Sequence, residues 1–163
     1  LYLQRIIYPD HKLMPQHQRW IRYTLKFAVD SLLQRCPGRE ERFLAPFFAY
    51  YRHPQQLEDE VAFQLLDTAA ALPPAALTRP RQELLLRFAE GVCDREDVTV
   101  RAAAVLLVDR LHRLDSRSRR PLRILQKIDC RDAASLDLLR RRIIKGGAPG
   151  PPAGAGDLRH FPG

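Results

Sequence analysis

The chain has 163 residues, 45% of them hydrophobic and 28% charged, with a net charge of +8. That is one ordinary globular domain, and it excludes a disordered composition. No apolar run approaches the roughly 20 residues of a membrane-spanning helix, and three widely spaced cysteines, Cys36, Cys93 and Cys130, exclude a fully paired disulfide framework and favour a reducing compartment.

The sequence opens at Leu1, has Met14 as its only methionine and shows no signal peptide, so it reads as a fragment of a longer protein. Before residue 146 glycine occurs only at Gly38 and Gly91, and no stretch sustains strand alternation. An all-α fold is expected. In residues 16–35, Ile21, Leu25, Ala28 and Leu32 recur at helical spacing and predict one buried face. Trp20, Tyr23 and Phe27 share that spacing and read as core packing rather than a base-stacking platform. Cys36-Pro37-Gly38 breaks this helix. A second helix is expected over 41–51, kinked or restarted at Pro46, with Phe43, Phe47, Phe48, Tyr50 and Tyr51 in the core. A third, over 55–72, opens on Glu58, Asp59 and Glu60, which suit a helix N-terminus. Pro73-Pro74 stops it.

Pro80 marks the first turn of a helix over 80–92 with Leu85, Phe88 and Val92 inward. The helix over 97–114 has the cleanest stripe: Val100, Ala104, Leu107, Leu111 and Leu114. Two shorter helices complete the body. One follows Pro121, with Leu122, Leu125 and Ile128 inward; the other starts near Asp132, with Leu136, Leu139 and Ile143 inward. Residues 146–163 contain ten Gly or Pro in eighteen positions, too few packing side chains to offset chain entropy, and read as a disordered tail or linker. Residues 1–145 thus form about eight amphipathic helices, consecutive ones antiparallel, as an irregular bundle or a solenoid of helix pairs.

The charge is unevenly placed. Residues 101–145 hold 13 Lys+Arg and 5 Asp+Glu, whereas the rest of the chain holds 14 of each sign. Arginine forks match phosphate geometry. A one-sided basic stretch is the footprint of a polyanion binder. The candidate DNA-binding residues are Arg117, Arg119, Arg120, Arg123, Lys127, Arg140, Arg141, Arg142 and Lys145. The competing reading is a basic face that meets an acidic protein. Catalytic signals are missing. The histidines and cysteines lack zinc spacing, and no nucleophile elbow, phosphate loop or dinucleotide fingerprint occurs. The expectation is a non-enzyme with no cofactor and no metal. His112 reads as an isolated surface residue, and Cys93 and Cys130 as packing residues. Arg117-Ser118-Arg119-Arg120 offers a serine that a basic-directed kinase would recognise.

The segment RQELLLRFAEGVCDREDVTVRAAAVLLVDRLHRL, residues 81–114, resembles a HEAT repeat. It has a leucine-striped helix, the acidic turn Asp94-Arg95-Glu96-Asp97, and a second helix opening Asp97-Val98-Thr99-Val100-Arg101 before three alanines. Asp97 is placed to cap that helix, and Arg101 to pair with an acid in a half-exposed position. Together with RWIRYTLKFAVDSLLQR near the start, the chain is similar to the G-type non-SMC subunit of condensin. The HEAT resemblance implies an α-solenoid fragment. The condensin resemblance implies a nuclear, chromosomal scaffold that binds a kleisin and other subunits and grips double-stranded DNA without reading its sequence. The alternative is a cytoplasmic transport or trafficking adaptor, and no membrane partner is expected.

Overall fold

The computed structural model of the chain describes residues 24–146. Every regular element among them is helical: α1 (Thr24–Arg35), α2 (Glu40–Phe48), α3 (Asp59–Ala71), α4 (Arg79–Gly91), α5 (Val98–Leu114), α6 (Arg120–Lys127) and α7 (Ala134–Ile144). Single 3-10 turns occupy Ala49–Tyr51, Pro54–Gln56 and Pro74–Ala76. The all-α class expected from the sequence is the class observed. Among the described residues no helix is long and apolar enough to cross a membrane. The chain divides into two compact units, Leu1–Asp129, which carries α1–α6, and Cys130–Gly163, which carries α7.

Local chemistry sets the helix ends. Gly38 turns the chain at φ +79°, and its N–H donates to Glu40 Oε1 at 2.9 Å. Hydrogen bonds from the N–H groups of Glu40 itself and of Gly38 hold the Glu40 carboxyl below its ordinary pKa. Pro46 neither ends nor restarts α2: the helix runs two residues past it and then tightens into the 3-10 turn. Asp97 caps α5 as the sequence suggests, its Oδ1 accepting from Thr99 N at 2.7 Å and Thr99 Oγ1 at 2.6 Å. Proline stands in the first turn of both α4 and α6, where a missing N–H costs nothing.

Within the first unit, helices pack both on their chain neighbours and on the next helix but one. α1 packs on α3, and α3 on α5, the most extensive of these contacts. The turn that ends α2 packs on α4, α4 packs on α6, and α5 contacts both α4 and α6. Lys26 of α1 lies 3.9 Å from Asp67 of α3. Tyr51 joins α3 to α4: its hydroxyl donates to the Leu65 carbonyl at 2.7 Å, and its ring meets Phe88 edge-on at 5.1 Å. Burial pushes the Tyr51 phenol well above its ordinary pKa. Leu85, Phe88, Val92, Val100, Ala104 and Leu107 are fully buried around this centre.

Several inward assignments need correction. On α1 the buried pair is Leu25 and Val29, while Leu32 is 38% and Phe27 is 68% exposed. Phe27 sits about 200° round the helix from Leu25, so both cannot face the core. Leu114, the last residue of α5, is 40% exposed. On α6 Ile124 is buried and Leu122 only half so, because a spacing of three drifts about 60° per step. In the second unit Leu136 and Ile143 are buried and Leu139 is half-buried. His112 is half-buried rather than on the surface. The assignments to Trp20, Ile21, Tyr23 and residues 147–163 lie outside the described residues.

Candidate nucleic-acid interface

Several of the chain's arginines hold the fold together. Arg81 forks onto Glu41, Nη1 to Oε1 at 2.9 Å and Nη2 to Oε2 at 2.7 Å, and lies 4.8 Å over the Phe48 ring. The Arg81 hydrogen bond lowers the Glu41 pKa. Arg95 donates to Asp59 Oδ1 at 3.0 Å and to the carbonyls of Pro54 and Leu57, both at 2.8 Å. Arg110 of α5 reaches the carbonyls of Ala69, Ala70 and Leu72 and so closes the C-terminal end of α3. Burial lowers the Arg110 pKa. Arg101 is 2% exposed and donates to the Asp129 and Glu96 carbonyls. This corrects the half-exposed role expected of it.

The remaining positive charge is segregated by helix. α3 has no lysine or arginine. On α5, Arg101 and Arg110 serve as clamps, and Arg113 pairs with Asp109 at 2.8 Å. On α1, Lys26 pairs with Asp67, and Arg35 at the helix end has no ion-pair partner among the described residues. The pattern differs on α2, α4 and α6. Arg42, Arg79, Arg87 and Arg123 are all exposed there, and none has an ion-pair partner among the described residues.

The structure places the candidate residues in two groups. In the first unit Arg119, Arg123 and Lys127 are exposed along α6 at i, i+4 and i+8, a basic stripe about 12 Å long. Arg117 is exposed on the turn before it. Arg120 pairs with Glu83 and lies 3.8 Å from Glu90, and Lys127 hydrogen-bonds Glu90. The Lys127 hydrogen bond, joined by the charges of Lys127 and Arg120, holds the Glu90 carboxyl below its ordinary pKa against partial burial. In the second unit Arg140 and Arg141 both pair with Asp137, at 2.5 and 2.8 Å. Arg142 and Lys145 are exposed, with no ion-pair partner among the described residues.

Linear charge counting missed Arg79 and Arg87. They alternate with Glu83 and Glu90 along α4, so the window around them looks neutral. The signal that finds them is three-dimensional. Both acids are drawn to Arg120 and Lys127 of α6, which leaves the two arginines unopposed. Among the described residues no group of three His, Cys, Asp or Glu could hold a metal. Comparisons with protein-family models, with curated proteins and with solved structures give no match.

Proposed function

We propose that the first unit is a short α-solenoid segment of HEAT type that binds duplex DNA, independent of sequence, through α2, α4 and α6. The observation that carries the reading is that Arg42, Arg79, Arg87 and Arg123, without ion-pair partners among the described residues, lie on those three helices. Basic side chains on the other three are paired or buried, Arg35 apart. The packing supports the solenoid part: α1, α3 and α5 form one row, and α4 joins α6 to the turn after α2 in another. Alternate helices of a stacked helix-pair array form rows in this way. The mechanism is positional. A rigid helical surface presents guanidinium forks that neutralise phosphates and release counterions, with no base-edge contact. The chromosome-organising setting, the nuclear location and a kleisin partner belong to the same proposal and rest on the resemblance of the sequence alone.

Fluorescence anisotropy with a duplex of arbitrary sequence tests the reading. About five phosphate contacts give a slope of log K against log salt near −4 to −5. Reversing Arg87, Arg119 and Arg123 to Glu removes binding and leaves the helical circular dichroism unchanged. An unmodified chain that binds no duplex at low salt overturns the proposal in favour of an acidic protein partner.

A further inference from the structure

The turn between α5 and α6 borders a cleft of about 240 Å³. Arg79, Gln82 and Glu83 of α4 line one side, and Asp115, Arg117 and Ser118 of the turn line the other. Of the cleft's two carboxylates, Glu83 pairs with Arg120, and Asp115 Oδ1 accepts, among the described residues, only the Arg117 backbone N–H, at 3.3 Å. The Gln82 amide donates to the Leu77 carbonyl at 2.8 Å. The two guanidinium groups that line the cleft, Arg79 and Arg117, have no ion-pair partner among the described residues. Ser118 is half-buried at the entry to α6, where its Oγ accepts the Arg120 N–H at 3.4 Å. The cleft therefore offers a hydroxyl at its edge and two cations without ion-pair partners among the described residues, which together outweigh the single negative charge of Asp115.

We propose that Ser118 is a phosphorylation site for a basic-directed serine/threonine kinase, with the phosphate held in this cleft by Arg79 and Arg117. ATP is the phosphoryl donor and the kinase catalyses the transfer. A bond forms between Ser118 Oγ and the γ-phosphorus as the bond to ADP breaks, and the hydroxyl proton passes to the kinase's base. The product adds about −1.5 to −2 charge and three strong acceptor oxygens. Ser116 is exposed in the same basic turn but does not line the cleft. The consequence for DNA rests on the function proposed above. Phosphate at Ser118 draws Arg79 and Arg117 inward and repels the duplex from the start of the α6 stripe.

The 163-residue chain is incubated with ATP and a basic-directed kinase, and the phosphate is mapped by mass spectrometry. Phosphate is expected on Ser118, lost in Ser118→Ala and kept in Ser116→Ala. In a ³¹P titration the second ionisation falls below the ordinary value of about 6, because neighbouring cations favour the dianion. It returns towards that value when Arg79→Ala and Arg117→Ala are combined. Phosphate on Ser116 instead, or a ³¹P value that the double variant does not move, overturns the site. In the DNA titration the phosphorylated chain gives a salt slope shallower by about two, the loss of two phosphate contacts. An unchanged slope overturns the regulatory role. A chain that binds no duplex before modification sinks the DNA reading instead, and the ³¹P result still decides the site.

Discussion

Arg101 Nη1 donates to the carbonyl oxygen of Asp129 at 2.5 Å, bridging 28 residues of sequence. The same guanidinium reaches the Glu96 carbonyl at 3.2 Å, so it ties the start of α5 both to the turn before it and to the segment after α6. Arg101 itself is 2% exposed, so its removal takes a charged donor from both carbonyls and a packed side chain from the buried interior. Arg101→Ala is expected to cost about 1.5–3 kcal/mol, the range for hydrogen bonds to charged groups. Arg113→Ala, on the exposed side of the same helix, removes a surface pair and costs about 0.5 kcal/mol or less. Urea unfolding of the two variants checks the contrast. Equal losses would mean that Arg101 is not a clamp.

The sequence carried this arginine's position but not its role. Val100, Ala104, Leu107 and Leu111 were legible because a 17-residue helix repeats its period often enough to fix one face. The Asp97 cap and the early prolines were legible because each acts within one turn of chain. Phe27 and Leu122 were misplaced because short helices give two or three apolar residues and more than one face that fits them. The charged site was legible only in part. Whether an arginine is a clamp, a pair member or open depends on partners about 40 residues away, as with Arg81 and Glu41 or Arg120 and Glu83. Counting charge along the chain therefore found the α6 stripe and missed Arg79 and Arg87.

Gly91 ends α4 directly against the ring of Pro54. A Cβ built on it would stand 2.5 Å from Pro54 Cγ, and Pro54 is itself buried. The proline ring has no rotamer with which to retreat, so Gly91→Ala should displace the Pro54–Gln56 turn. The expected cost is about 1–3 kcal/mol, the range for overpacking, although alanine is the better helix former. Thermal unfolding checks the sign, and a stabilised variant would contradict the contact.

Cys93 follows α4 and is half-buried, whereas Cys36 is exposed. Burial pushes the Cys93 thiol above its ordinary pKa, with Asp94 and Glu90 adding to the shift. Because the thiolate is the reactive form, iodoacetamide at pH 8 should label Cys36 first and Cys93 several-fold more slowly. Raising the pH should narrow the gap. Peptide mapping of the alkylated chain reads both sites, and faster labelling at Cys93 would refute its placement.

Glu90 of α4 restrains two of the cations on α6, Lys127 by a hydrogen bond and Arg120 at 3.8 Å. Its folded carboxyl pKa is lowered. The pair's contribution to stability is therefore present above the unfolded carboxylate value of about 4.3, and it is lost as pH falls through the lower folded value. At neutral pH Glu90→Gln removes the restraint and releases Lys127 to a phosphate. Duplex affinity should rise, and the slope of log K against log salt should steepen by about one. Stability should change little, because both partners are partly exposed. Asp30→Asn is the control. It raises the net charge equally, but on α1, where Asp30 is exposed and accepts a hydrogen bond from Gln34 at 2.9 Å. If binding follows the α4–α6 face, Glu90→Gln changes the slope and Asp30→Asn does not. Equal changes would show that the duplex responds to overall charge alone, and the assignment of the interface to α2, α4 and α6 would fall.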